Sequence, residues 1–315
     1  MIQYFLKTNH ELKVVNSPEE DGWINIYPPF TKEELQKISQ TLQVPLDYFT
    51  DSLDINERSR FEQEEGVKLI VINTPVENED AEDYEPRFIT VPVGIIILDN
   101  KIITISARQN PVIDWFIKHT VKGLQPNDRS MFVLKIFEKN VEYFLYHLRE
   151  INRKINLFEE EIFNSSRNED FVKLLTLQKS LVYFVNYLRA NELMMLKLKR
   201  TNFLEIQHRE DASDFFEDIV VDNSQALEMS QLYANILNGT LGSLSSIISN
   251  NLNITMKRLT AITIVIAIPT LVASLWGMNV HVPLENVHYA FPLIILLSLL
   301  ISFLAAWYFY RKKLF

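Results

Sequence analysis

Pro269-Thr270-Leu271-Val272-Ala273-Ser274-Leu275-Trp276-Gly277-Met278-Asn279 lies in the first of two long uncharged runs, and these runs decide the fold. Leu259 to Leu284 contains no Asp, Glu, Lys or Arg, and neither does Asn286 to Tyr310. A helix crosses the hydrocarbon core with about 20 apolar residues, so each run is long enough. Two buried helices of a soluble protein are the alternative, but adjacent uncharged runs that end in a basic cluster are unusual there. Lys257 and Arg258 precede the first run, Arg311, Lys312 and Lys313 follow the second, and Val280 to Ala290 has neither Lys nor Arg. The positive flanks place both ends in the cytoplasm and the connection outside. Trp276, Tyr289, Trp307, Tyr308 and Tyr310 fall where interfacial aromatics sit. The expected parts are a first span at 259–279, an external loop at 280–290, a second span at 291–311 and a basic cytoplasmic tail at 312–315.

Upstream of the first span, a helix is expected from near Asp211, with no proline before Pro269. Continued to Met278 it would be roughly 100 Å long at 1.5 Å per residue. Such a helix needs an oligomeric bundle or a membrane, and here residues 211–258 read as a stalk that runs into the span. Stepping back from Gly277 by threes and fours gives Ser274, Thr270, Ala267, Thr263, Thr260, Met256, Asn253, Ser249, Ser246, Gly242 and Gly239. This is a heptad seam filled by small and weakly polar residues instead of Leu and Ile. Close helix packing explains small residues. A hydrated pore lined by several copies explains more, because Met229 to Met256 is uncharged yet rich in Ser, Asn and Thr. Two spans cannot enclose a pathway alone, so a pore requires a homo-oligomer.

The rest of the chain reads as a soluble mixed α/β part at 1–127 followed by a helical hairpin at 128–210. Strands are expected at Trp23–Tyr27, Val67–Ile72, Val93–Leu98 and Lys101–Ser106, the last two joined by a turn at Asp99-Asn100. Thr31-Lys32-Glu33-Glu34 reads as a capped helix start, Glu77–Glu85 as an acidic loop, and Val112–Thr120 as a helix covering the sheet. From Asp128 the periodicity is helical, broken by a turn at Asn164–Asn168 before a second run at Phe171–Arg200. The fold class is α+β with transmembrane helices.

Composition excludes several functions. The formal net charge is −9, which argues against nucleic acid as a partner. There are no cysteines, which removes disulfides, thiol catalysis and Cys-ligated metals. The six histidines are scattered, and no phosphate-binding glycine loop or nucleophile motif is present, so no enzyme is expected. Met1–Lys7 is soon followed by charges and reads as no signal peptide, which puts the bulk of the chain in the cytoplasm.

Gly277-Met278-Asn279, placed between two C-terminal spans, resembles the CorA family of divalent-cation channels, whose signature is Gly-Met-Asn closing the first span. The resemblance extends to Asn253-x-x-Met256-Lys257 and to Leu53-Asp54-x-x-Glu57-x-x-Arg60-x-Glu62. It implies a homopentameric funnel in the lipid bilayer of the inner, cytoplasmic membrane. Its first span would line the pore for Mg²⁺ uptake, with Co²⁺ and Ni²⁺ as further candidates. Asn279 would form an outer ring receiving hydrated Mg²⁺, whose reluctance to dehydrate suits neutral oxygen ligands. Thr270, Asn253, Met256 and Leu259 match pore-lining places of the family. The seam points to Thr260 where the family points to Leu259, and that choice stays open here.

The resemblance also implies gating by intracellular Mg²⁺ held between subunits. Asp211, Asp214, Asp218 and Asp222 share one helical face, and a cation bridging such carboxylates relieves their repulsion. Asp218 matches the family's sensing carboxylate by its distance from the pore motif; Asp51 is the candidate partner, with Asp214 and Asp222 as neighbours. The chain departs from the family at Trp276, which replaces a tyrosine, and in the outer loop, where Glu285 is the one acid and His281 and His288 flank it. Those histidines keep softer metals open. The alternatives are a zinc transporter of the same superfamily, against which Met278 argues, and a membrane-tethered coiled-coil sensor or scaffold.

Overall fold

In a computed structural model, which describes residues 1–8, 11–15, 22–119, 128–165, 168–278, 280–281 and 288–312, the β-branched segments of the first third pair into one sheet. Its strands are β1 (Ile2–Thr8), β2 (Glu11–Val15), β3 (Gly22–Ile26), β4 (Arg60–Glu64), β5 (Val67–Glu77), β6 (Phe88–Ile97) and β7 (Lys101–Ser106), in the order β2-β1-β3-β7-β6-β5-β4. All neighbours are antiparallel except β3 and β7. The β6–β7 turn closes with Leu98 N–H donating to the Lys101 carbonyl at 2.9 Å. The β4–β5 turn uses Glu65 and Gly66, both at positive φ, as a two-residue hairpin requires. The acidic loop lies between Glu77, which ends β5, and Phe88, which starts β6.

Alternation along the strands sends side chains to two faces. Ile24, Ile26, Leu69, Val71, Ile96, Ile103 and Ile105 join a core with Leu35, Val44, Tyr48 and Phe49. The latter four come from α1 (Lys32–Leu42), the segment that follows it, and α2 (Leu46–Asp51). The Thr31 capping box starts α1: Glu34 N–H donates to Thr31 Oγ1 and Thr31 N–H to Glu34 Oε2. Gly94 of β6 lets α2 sit directly on the sheet; a Cβ there would lie 2.0 Å from Ser52 Oγ and 2.6 Å from Ser52 Cβ. Side chains of the other parity, such as Trp23, meet α3 (Pro111–Lys118), α4 (Arg129–Ser165) and α5 (Asn168–Thr201). There Phe132 packs edge-on against Trp23 (5.3 Å) and Phe116 (5.8 Å), and Phe144 against Phe184 (5.1 Å).

Strands β1, β2 and β4 and helix α2 add to the expected elements. The second helix of the hairpin begins at Asn168, three residues earlier than its apolar spacing suggests. Ser166 and Arg167 of the expected turn lie outside the described residues.

The sheet and the hairpin are joined by a buried amide cluster. β4 begins only at Arg60, which pairs with Val71, so Asn73 of β5 lies beyond its start and has no strand partner on that side. Asn191 of α5 takes its place: its Oδ1 accepts from Asn73 N–H (3.2 Å) and its Nδ2 donates to the Asn73 carbonyl (2.9 Å). Asn140 Nδ2 of α4 donates to the same carbonyl at 3.0 Å. Asn73 Nδ2 in turn donates to the Glu57 carbonyl and to Ser59 Oγ, both at 3.1 Å, which ties the 57–59 loop to the cluster.

Helix α6 (Glu210–Trp276) runs through Pro269, whose missing N–H leaves the Val265 carbonyl without its helical donor. The chain divides between Thr240 and Leu241 into two compact units. In the first, α6 buries Ala212, Phe216, Ile219, Asn223, Ala226 and Ser230, and Asn223 Nδ2 donates to the Leu188 carbonyl of α5 at 3.1 Å. Its start is fixed by Arg209, whose Nη1 and Nη2 donate to Asp128 Oδ1 and Oδ2 at 2.8 and 2.7 Å. Asp128 also accepts from Met131 N–H at the head of α4 (3.2 Å). The Arg209 hydrogen bonds, helped by the Met131 N–H, hold the Asp128 carboxyl below its ordinary value. A carboxyl lowered in the folded state adds stability above its unfolded pKa, and that stability is lost as pH falls through the folded value. Asp128→Asn is therefore expected to lower the thermal unfolding midpoint at neutral pH, with the difference from wild type fading as pH falls below the ordinary carboxylate range. A gap that persists unchanged at acid pH would contradict this.

Candidate functional site

In the second unit α6 continues from Leu241 to Trp276, and α7 (Ala290–Arg311) is the second apolar helix. Only 6% of the most apolar window of α6 and 11% of that of α7 is buried within the chain. Exposed apolar surface on this scale belongs against lipid or against further copies. On α6 the covered stripe runs through Ala261, Val265, Ile268, Val272 and Trp276, at helical spacing. Thr260, Thr263, Ala267, Thr270 and Ser274 are all exposed and lie on the opposite side, about 160° round at 100° per residue. Thr263, Ala267, Thr270 and Ser274 line an open groove of about 570 Å³ together with Ile266 and Leu271. Asn253, Met256 and Leu259 are exposed as well. Thr260 lies about 40° to one side of the seam centre and Leu259 about 60° to the other, so the two flank the same surface.

Threonine hydroxyls of this face donate back into their own helix. Thr260 Oγ1 donates to the Met256 carbonyl and Thr263 Oγ1 to the Leu259 carbonyl, both at 2.8 Å. A hydroxyl that donates into its own helix turns its lone pairs outward as an acceptor. A row of neutral acceptors suits the water shell of a hydrated divalent cation, whose bound waters are donors.

At the end of α6, Gly277 N–H donates to the Ala273 carbonyl at 2.9 Å, and Gly277 and Met278 are exposed. Asn279, and with it Glu285 and most of the connection, lies outside the described residues. At the far end of α7 the Arg311 guanidinium rests over the Trp307 ring, 4.8 Å from its centroid, as interfacial anchors do.

The regulatory candidates divide between two places in the first unit. Asp211, Asp214, Asp218 and Asp222 all lie on the exposed side of α6. Asp211 has Arg209 at 3.9 Å, and the neighbouring Glu217 pairs with Lys199 at 3.0 Å. Among the described residues Asp214, Asp218 and Asp222 have no ion-pair partner. Asp51 ends α2, and its Oδ2 accepts from Arg60 Nη2 at 2.9 Å. Carboxylate oxygens are the hard donors that Mg²⁺ takes. Among the described residues of one chain, however, no three His, Asp or Glu side chains gather as a metal site. Asp51 and Arg60 are nine positions apart, and no sequence pattern pairs them. Nor does any pattern mark Asp128 and Arg209, which fix the start of the helix bearing the seam.

Residues 22–311 match the family described as CorA-like Mg2+ transporter protein. Among curated relatives, the cobalt/magnesium transport protein CorA of Methanocaldococcus jannaschii is 30% identical over 92% of this chain and 90% of its own length. The magnesium transport protein CorA of Pasteurella multocida is 23% identical over 92% of this chain and 90% of its own. The solved complete CorA magnesium transporter of M. jannaschii superposes with a TM-score of 0.80 at 25% identity, covering 99% of this chain and 98% of that one. The full-length CmaX structure has a TM-score of 0.70 at 19% identity over 99% and 97% of the two chains, a likeness of fold.

Proposed function

The chain belongs to the CorA-like Mg²⁺ transporter family, and from that premise we propose that it is a homopentameric membrane channel for Mg²⁺ uptake that also accepts Co²⁺. The observation that carries this reading is the uncovered seam of α6. Small residues and hydroxyls with outward lone pairs occupy the face opposite the one covered within the chain. Five copies turning this face inward enclose a hydrated path, while the apolar remainder of α6 and α7 faces lipid. Both ends of the two-span segment face the cytoplasm in this reading, which the basic flanks Lys257, Arg258, Arg311 and Lys312 support. Asn279 receives the hydrated ion at the outer end, and Met256 and Leu259 narrow the path near the inner one. The membrane potential drives entry with about 4.6 kcal/mol per divalent ion at 100 mV.

Gating follows from the exposed carboxylates. Asp218 of one subunit, supported by Asp214 and Asp222, shares an intracellular Mg²⁺ with Asp51 of a neighbour. Filling that site holds the subunits together and closes the path; emptying it when cytoplasmic Mg²⁺ falls lets them part.

The test is metal flux into proteoliposomes with an imposed inside-negative potential, comparing Mg²⁺, Co²⁺, Ni²⁺ and Zn²⁺. Mg²⁺ and Co²⁺ entry that rises with the potential is expected. Transport of Zn²⁺ alone would replace the proposed cargo. No flux of any metal from intact oligomers would leave the sensor or scaffold reading in its place.

A further inference from the structure

The contact between Asp51 and Arg60 bears on how that gating site is set. One guanidinium here serves three carboxylates: Arg60 Nη2 reaches Asp51 Oδ2 at 2.9 Å, Nε reaches Glu57 Oε1 at 2.7 Å, and Nη1 reaches Glu62 Oε1 at 2.5 Å. The four side chains carry a net charge of −2, and Arg60 and Asp51 are both partly open to solvent. The nearby Tyr48 hydroxyl is buried and has no hydrogen-bond partner, and burial first, then the charges of Glu62 and other nearby acids, push its pKa up to about 12. The arrangement is held from three sides. Gly94 seats Ser52, the residue after Asp51, against the sheet. The β4–β5 register sets Arg60 opposite Val71 and Glu62 opposite Leu69, on one face of β4. Asn73 holds the Glu57 carbonyl at 3.1 Å.

We propose that Arg60 is an internal competitor for the divalent cation at Asp51, and that it sets the Mg²⁺ concentration at which the gating site fills. This rests on the reading of Asp51 as a regulatory ligand. A hydrated divalent ion and the guanidinium cannot share the Asp51 carboxylate at contact distance without strong like-charge repulsion. The ion must displace Arg60, which falls back on Glu57 and Glu62. Those two acids give the displaced guanidinium somewhere to go, so that the exchange strands no charge. Arginine keeps its charge throughout the physiological range, so the competition is constant and not gated by protons.

The experiment follows protease resistance and thermal unfolding of the full-length oligomer in nanodiscs as Mg²⁺ is titrated. Arg60→Gln is expected to move the midpoint to about tenfold lower Mg²⁺, the effect of removing one positive charge beside a divalent site. Arg60→Lys, which keeps the charge but holds one carboxylate at a time, is expected to move it less and in the same direction. Asp51→Asn should abolish the dependence, and Arg60→Gln should then add nothing. An unchanged or higher midpoint in Arg60→Gln, with Asp51→Asn still abolishing the response, overturns the competition alone. A response that survives in Asp51→Asn overturns the assignment of Asp51 and the competition with it. Should Arg60→Gln fail to assemble, Arg60→Lys decides in the same way.

Discussion

Ala267→Lys is expected to reduce Mg²⁺ flux to below about 1% of wild type while leaving the oligomer intact. Ala267 lies mid-way along the first span, in the exposed groove with Thr263, Thr270 and Ser274. A lysine there is too deep for its ammonium to reach either interface easily. In the proposed pore each subunit then adds one positive charge within about 6 Å of the path. Against a divalent ion that is about 1–5 kcal/mol per subunit for effective dielectrics between water and a protein surface. Summed over a ring, even the lower figure stops conduction. Ala267→Ser adds one small hydroxyl to a face that already carries several, so its flux should stay within about twofold of wild type. The pair of variants also separates the two explanations of a small-residue seam. If the seam served helix packing alone, Ala267→Lys would break the oligomer, visible as a shift in size-exclusion mass. Loss of flux with assembly retained supports a water-filled lining. Normal flux in Ala267→Lys would remove this face from the pathway.

How much of this could be read from the sequence depends on the range of the interactions concerned. The spans and the seam are local patterns: absence of charge over two runs, and small residues at threes and fours along one helix. No tertiary contact is needed to see them, and α6 and α7 lie where those patterns place them. The hairpin helices were equally visible, since apolar spacing persists over many turns. Strand β4 was not, because Arg60-Phe61-Glu62-Gln63-Glu64 has one apolar residue and gains its structure from pairing with β5. Helix α2 is six residues long and starts after Pro45, too short to show a period. The candidate gating residues were legible as acids, but Asp51's engagement by Arg60 depends on where β4 runs beside α2. The Asp128–Arg209 and Asn73–Asn191 contacts join residues 81 and 118 positions apart, and nothing in one sequence announces such pairs.

The Asn191 clamp should be the most costly of these to break. Asn191→Leu is expected to destabilise the folded chain by about 3–4 kcal/mol, from one buried N–H left without an acceptor and two further hydrogen bonds lost. The reason lies in the strand end. Asn73 N–H has Asn191 Oδ1 as its acceptor on the side where β4 has not yet begun, and Ser59 Oγ donates to the same oxygen at 2.5 Å. Leucine fills a similar volume but accepts nothing, so the N–H stays buried and unpaired. Asn140→Leu offers an internal control. It removes one donor from the Asn73 carbonyl, which keeps the other from Asn191, and its own Oδ1 is already without a partner. Its cost should therefore be about 1 kcal/mol. Hydrogen exchange at the Asn73 amide reads the difference directly: protection should collapse in Asn191→Leu and survive in Asn140→Leu. Equal loss in the two variants would mean that the helices hold β5 through apolar packing and that the amide pairing is incidental. Since Asn73 also holds the Glu57 carbonyl, Asn191→Leu should additionally loosen the loop that presents Arg60. Its Mg²⁺ response should then broaden even at temperatures where the fold survives.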